Sequence, residues 1–365
     1  MSPDDASRIC SETARKENTA PLSSEEEDGK TVEGLPEDYE SWRGLDHDAY
    51  ATVWSKFKEF FSERGYRLWD ESIGRNLYTD LEDEPITCNG FKFLNPPSIK
   101  NTLLYQFRAF NGLMNACYCS RGGDKLVRVM VHKNVGQNDL DIVRSLSRSR
   151  HILAENNHIL PLLDELHFGD IVFGVFPLLK GPNLSGAMHL GSLNSVDDIM
   201  HLLLQAFEGV AYLHKNGIAH RDLFLTNFIM EWYPQSGNYK MFTRPRVYII
   251  DFETAIQFSS DEESERVTST FPVPDRSWYE RPLAPELEIP DAVYCPFRLD
   301  VWQIATDILR FKVNLPSAVE VFRSMSVEDP GKRPGIQEAL DALAECVEVI
   351  PPKELMAMKM LDEDD

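Results

Sequence analysis

The hydrophobic period of this chain changes near residue 180, and that change limits the folds open to it. Before that point, short apolar runs dominate: LLYQFRAF, NACYC and KLVRVMV within 102–131, broken by Asn-Gly and Gly-Gly, then ILPLLDEL and IVFGVFPLL. Runs of this length, bounded by turn dipeptides, predict strands. After it, helices take over. Ser195 predicts an N-cap for SVDDIMHLLLQAFEGVAYLHKNG, with Asp198 at N3 and Gly217 as the stop. Apolar residues at 196, 199, 200, 203, 207, 210 and 213 make one stripe of that helix. Helical spacing at Val53, Trp54, Phe57, Phe60 and Phe61 predicts a helix within 46–66, ending at Gly65, and 139–150 reads as a short helix. The expectation is an α+β, bilobal chain: a small β-rich N-lobe, a hinge near Pro177 and a larger α-helical C-lobe.

Charge divides the chain further. It carries 59 acidic and 37 basic residues, a net −22. Residues 1–40 hold 12 acids against 4 bases and few large apolar side chains, too little surface to offset the entropy of ordering. The expected organisation is a disordered acidic segment (1–45), a helical extension (46–99), a small lobe (100–178), a large lobe (179–348) and an acidic tail (349–365). A field of this sign repels nucleic acid. The first residues, MSPDDASRIC, lack the apolar core of a signal peptide, and no uncharged run approaches membrane-span length. Six scattered cysteines without a C-x-x-C pair read as reduced thiols. Neither a nucleic-acid nor a membrane partner is expected, and the expected location is the cytosol or nucleus.

Residues with chemistry begin where the long helix ends. The chain reads IAHRDLFLTNFIM, then a strand and an acid in VYIIDFE, then Ala284-Pro285-Glu286, Asp300-Val301-Trp302, and Asp329-Pro330 before Arg333-Pro334. This ordered set resembles the eukaryotic protein kinase catalytic domain over roughly residues 100–347. The resemblance implies ATP and Mg2+ as cofactors, with a nucleotide and an unidentified protein as partners. It implies that Asp222 accepts or orients the substrate hydroxyl, with His220 and Arg221 in support, Arg221 docking the activation segment. It makes Asn227 and Asp251 the oxygen ligands of the metal, and Glu286 with Arg333 a buried structural pair. The best register sets Arg128 at the strand lysine, with Leu126 on the same face over the adenine, and Asp139 at its partner acid. Lys133 is a rival. Gly112 is what remains of the phosphate-covering glycine loop.

Four departures bear on activity: the thin glycine loop, arginine at the strand lysine, aspartate at its partner, and Phe224 where the family carries a basic residue facing the transferred phosphate. The metal motif is also DFE, with Glu253 in place of glycine; this residue either stiffens the turn or points to solvent. Three functions therefore stand open: a weak or atypical Ser/Thr protein kinase, a catalytically impaired pseudokinase serving as a nucleotide-binding scaffold, and a small-molecule kinase. Phe224→Lys is expected to raise turnover, unless Phe224 packs as core. The acids 261–263 and 265 are expected either to mimic a phosphate against Arg221 or to be plain solvated loop, with Thr268, Ser269 and Thr270 as modification sites.

Overall fold

The computed structural model describes residues 33–71, 76–78, 106–119, 123–148, 151, 153–179, 183–189, 194–230, 245–259 and 266–358. Most of the segment expected to be disordered, the acids at 261–263 and 265, and the end of the acidic tail lie outside these described residues.

The chain enters through three short helices, α1 (Tyr39–Arg43), α2 (His47–Ser55) and α3 (Lys58–Glu63). Asp38 and Asp46 cap the first two, accepting from the Ser41 and Ala49 amides at 2.7 and 2.8 Å. The helix expected over 46–66 is thus interrupted after Ser55, and Gly65, at φ 83°, turns the chain into β1 (Tyr66–Leu68). Next come β2 (Asp70–Glu71), β3 (Asn76–Tyr78) and β4 (Gln106–Arg108), which pair among themselves. Then follow β5 (Met114–Cys119), β6 (Gly123–His132), α4 (Gln137–Ser147), β7 (Asp164–Phe168) and β8 (Ile171–Pro177). The five-stranded antiparallel sheet runs β1-β5-β6-β8-β7. Gly136, at φ 92°, supplies the left-handed turn from β6 into α4.

The helical extension is not a separate body. Trp42, Trp54, Phe57 and Phe61 are buried, and Phe57 and Phe61 each meet Phe173 of β8 edge-on at 5.1 Å between ring centres. A sheet face lined by Val127, Val129, Phe173 and Val175 needs apolar cover, and these aromatics supply it. The described part of the extension therefore packs with the small lobe and gives it β1, while α1 starts within the segment expected to be disordered; the boundary expected at 99/100 lies outside the described residues.

The large lobe is built on α6 (Val196–Lys215), preceded by α5 (Leu184–His189). Its capping box is complete: Asp198 donates its amide to Ser195 Oγ, and Ser195 its amide to Asp198 Oδ2, each at 3.1 Å. Short strands β9 (Ile218–Ala219), β10 (Phe228–Met230), β11 (Val247–Ile249) and β12 (Ile256–Gln257) follow, β10 pairing β11 and β12 pairing β9. The lobe is completed by α7 (Pro285–Glu288), α8 (Pro296–Ile308), α9 (Pro316–Met325), α10 (Ile336–Glu348) and α11 (Pro352–Ala357). A single apolar core runs from α4 through α6 and α8 to α10. Leu126 touches both this core and that of the small lobe, which places it at the cleft.

Candidate active site

The site rests on a loop whose main chain is held from below. In α8, Asp300, Gln303 and Asp307 are buried at spacings that align them on one helical face. Asp300 accepts the amides of His220 and Arg221 at 2.8 and 2.6 Å, and its Oδ2 also meets His214 Nε2 at 2.9 Å. Gln303 accepts from the Leu223 amide at 3.0 Å and donates to the Arg221 carbonyl at 2.8 Å. Asp307 accepts from the Leu225 amide at 2.9 Å. These three acceptors pin the loop 220–227, including Arg221 in a left-handed conformation at φ 67°. The motif Asp-Val-Trp points to Asp300 alone; the sequence signal for Gln303 and Asp307 is their spacing from it, i+3 and i+7 on the same helical face.

Within that loop His220 is fully buried, its Nε2 3.0 Å from the Ile250 carbonyl and its ring 4.9 Å from Phe252. It shapes the turn rather than meeting solvent. Arg221 donates to the Thr254 carbonyl at 2.6 Å and to the carbonyl and hydroxyl of Thr270 at 2.9 and 3.1 Å, so it ties the two ends of the segment 254–270 to the loop. Asn227 donates Nδ2 to both the main-chain oxygen and Oδ2 of Asp222, each at 2.8 Å. That assignment leaves the amide oxygen as its ligand atom. The Ile250 amide donates to the Asn227 carbonyl at 3.0 Å, which brings Asp251, at φ 71°, alongside Asn227.

Across the cleft, Arg128 on β6 contacts Asp139 on α4 at 3.3 Å, Asp251 at 3.1 Å and Glu253 at 2.5 Å. Lys133, by contrast, lies in the turn after β6 and donates to the Glu37 carbonyl; it does not join this cluster. Carboxylate oxygens of Asp139, Asp251 and Glu253 lie within 4.8 Å of one another; Arg128 hydrogen-bonds Asp251 and Glu253 and meets Asp139 as an ion pair only, leaving both Asp139 oxygens buried without a hydrogen-bond donor. Burial pushes Asp139 up to about 7, against the pull of Arg128. Burial also acts to raise Glu253, but Arg128 and Arg43 outweigh it and hold that carboxyl below its ordinary value.

Glu253 does not point to solvent. It accepts from Arg43 at 2.5 Å and from the Tyr39 hydroxyl at 3.2 Å, so α1 closes over it. Gly112 is likewise not a phosphate cradle. It is buried beneath the helical extension: a Cβ there would meet the Trp42 carbonyl at 2.0 Å, and its own carbonyl accepts from Trp54 Nε1 at 3.0 Å. Its missing side chain admits the α1–α2 backbone. The sequence showed the glycine but not its neighbour, because the contact joins residues far apart in the chain.

Asp222 carries one further contact the sequence did not suggest. Arg281, from the segment before α7, donates Nε to Oδ1 and Nη2 to Oδ2, both at 3.1 Å. Burial raises Asp222 above its ordinary value, with Arg281 acting the other way. Phe224, at 2% exposure, packs beneath that guanidinium, whose carbon lies 4.9 Å from the ring centre. Beyond it, Arg333 and Glu286 form a bidentate pair at 2.6 and 2.8 Å, fixing α7 on the lobe.

The model of the protein kinase domain matches residues 128–309, beginning at Arg128 itself. Among curated proteins, the chain is 25% identical over 250 residues to the human hormonally up-regulated neu tumor-associated kinase, covering 60% of this chain and 32% of that protein. It is 28% identical over 206 residues to the serine/threonine-protein kinase ksp1 of Schizosaccharomyces pombe, covering 53% of this chain and 36% of ksp1. A shorter match, 35% over 104 residues, links it to the serine/threonine-protein kinase ppk8 of the same yeast, covering 28% of this chain and 17% of ppk8. The matched stretch spans about a third of the length of the first of these relatives. By the family match and by the bilobal α+β fold on which it lies, the chain contains a protein kinase-like domain.

Proposed function

We propose that this chain is an ATP- and magnesium-dependent phosphotransferase that acts on a serine or threonine hydroxyl of a protein. The observation that carries the proposal is the hydrogen-bonded pair Asp222–Asn227, held beside Asp251 on a loop whose shape α8 dictates. Asp222 is positioned to take the proton of the acceptor hydroxyl as that oxygen bonds to the γ-phosphorus. The bond from phosphorus to the β–γ bridging oxygen breaks, and ADP leaves with the electron pair. Burial makes the Asp222 carboxylate more basic than an exposed one, which suits it to that proton. The Asn227 amide oxygen and the Asp251 carboxylate are hard oxygen donors of the kind a small divalent cation takes. Magnesium bound there would neutralise charge on the phosphates. Arg128 offers a fixed cation on β6 where the phosphates would enter, and Leu126 an apolar surface for the base.

Three features support the protein acceptor over a small molecule. The Glu286–Arg333 pair anchors α7 and with it the segment from Thr268 to Ala284. Trp278 and Leu283 stand exposed in that segment, at 57% and 37%. Ksp1 and ppk8, to which the chain is similar, are serine/threonine-protein kinases by name. A second reading, the nucleotide-binding scaffold, draws on Arg128 being engaged by three carboxylates and on the burial of Gly112.

Thermal unfolding with ATP, with and without magnesium, alongside phosphoryl transfer to a mixture of serine and threonine peptides, tests the proposal. ATP at a hundredfold over its dissociation constant adds about 2.7 kcal/mol of stability, and magnesium is expected to tighten binding. Asp222→Asn is expected to lower kcat by about 10²–10⁴-fold while leaving ATP affinity nearly unchanged. ATP stabilisation without magnesium dependence and without transfer would favour the scaffold.

A further inference from the structure

The geometry points to Arg281 as the cation that serves the transferred phosphoryl group, in place of the basic side chain missing at position 224. The inference rests on the phosphotransferase reading above and adds a residue that the catalytic loop itself lacks.

The argument starts from Phe224. Its ring is buried and neutral, so it supplies neither charge nor a hydrogen-bond donor at the point where phosphoryl transfer accumulates negative charge. A guanidinium stacks on that ring at 4.9 Å, and it belongs to Arg281. A flat cation over an aromatic face is an attractive arrangement, and arginine is the side chain best shaped for it. The phenylalanine is therefore the floor of a cation site rather than an empty position.

Arg281 also reaches the base. Its Nε and Nη2 meet the two oxygens of Asp222 at 3.1 Å each. A guanidinium carries five N–H donors, and these two contacts leave Nη1 uncommitted among the described residues. A third of the side chain remains exposed. One group thus holds the proton acceptor in orientation and presents further donors beside it, where the γ-phosphoryl group must approach the acceptor hydroxyl that Asp222 serves.

The backbone is built to hold it. Arg281 precedes Pro282, which restricts its backbone to extended conformations. Two residues earlier, the Tyr279 hydroxyl accepts from Gln303 Nε2 at 3.1 Å. The same Gln303 binds the amide of Leu223 and the carbonyl of Arg221. The catalytic loop and the segment that carries Arg281 are thereby registered by one α8 side chain. A cation on the segment, unlike one on the loop, is in place only when the segment is docked, so segment order and charge neutralisation become one event.

The test compares wild type, Arg281→Ala and Arg281→Lys in the full chain, with melting temperature measured on each preparation. Two readouts are taken: kcat and KM for ATP in peptide phosphorylation, and affinity for ADP with aluminium fluoride and magnesium, which imitates the phosphoryl group in flight. Arg281→Ala is expected to lower kcat about 10²-fold with ATP KM changed less than threefold, because such a donor acts on charge present only in the transition state. It is expected to weaken the aluminium fluoride complex far more than the ATP complex, and Arg281→Lys to recover at least a tenth of the wild-type rate. Wild-type turnover with an equally fast Arg281→Ala overturns the inference and leaves the kinase reading standing; a faster Arg281→Ala would make Arg281 a latch on Asp222 and overturns it too. A wild type that binds the analogue through Arg281 but transfers nothing sinks the kinase reading while upholding the cation site. If Arg281→Ala and wild type bind the analogue equally and neither transfers, both fall.

Discussion

Asp139 and Arg128 share a pocket with almost no water, their side chains 1% and 9% exposed. An acid pushed up to about 7 in the folded chain, from the ordinary aspartate value near 3.8, binds its proton more tightly folded than unfolded. Its contribution to stability is therefore fully present below about pH 4 and is lost as pH rises toward 7, by an amount of order 4 kcal/mol at most. The melting temperature of wild type relative to Asp139→Asn should fall across that window; a difference independent of pH would contradict it. The register that set Arg128 opposite Asp139 was legible, because strand alternation and the length of the β6–α4 turn leave few options. Phe224 was legible only as a departure. Its 2% exposure decides between the two outcomes the sequence allowed: lysine there must bury an ammonium and lose the ring's packing. Phe224→Lys should cost about 3 kcal/mol or more, seen as a lower melting temperature with no gain in rate. A faster enzyme of unchanged stability would show that the ring is dispensable.

Among the elements, α6 and α8 differ in how much the sequence revealed. The capping box and apolar stripe of α6 are local signals, and the helix begins and ends within a residue or two of where they put it. The task of α8 is long-range. Gln303 spends its amide on the Leu223 amide, the Arg221 carbonyl and the Tyr279 hydroxyl, none of them near it in sequence. Gln303→Leu keeps similar volume but strands two buried main-chain groups, each worth about 1–3 kcal/mol when left without a partner. The expected result is a loss of roughly 3 kcal/mol in denaturant midpoint measurements, with faster amide exchange at both 221–225 and 276–284. Exchange that rises in the loop alone would mean that Tyr279 is held by something other than Gln303. The helix expected over 46–66 divides in two for a comparable reason: α2 and α3, with α1 before them, let Trp54, Phe57 and Trp42 each meet Phe173 of the sheet, which one straight rod could not do.

In the molecule as a whole, the cleft is assembled from five separated stretches: 39–43, 128–139, 220–227, 251–253 and Arg281. The family match begins at Arg128 and so leaves out the first of them. A chain starting at Gly65 would keep every strand of the five-stranded sheet yet expose the face now covered by Trp42, Trp54, Phe57 and Phe61. Burying each such aromatic is worth about 1.5–3 kcal/mol, and together they exceed the whole stability margin of many domains. That truncated chain should show no cooperative melting of the small lobe; a transition within a few degrees of the full chain's would mean the extension is ornamental. The grip of α8 on the loop carries a different consequence, one for descent. Because Asp300, Gln303 and Asp307 bind main-chain amides, they are indifferent to which side chains the loop displays. Packing rather than this grip limits change at the buried Phe224 and Leu225, and a substitution that keeps their apolar volume leaves unbent the path that brings Asp222 to Asn227. A lineage with such a scaffold can lose a motif letter, recruit its replacement from another segment, and still inherit the same active-site shape.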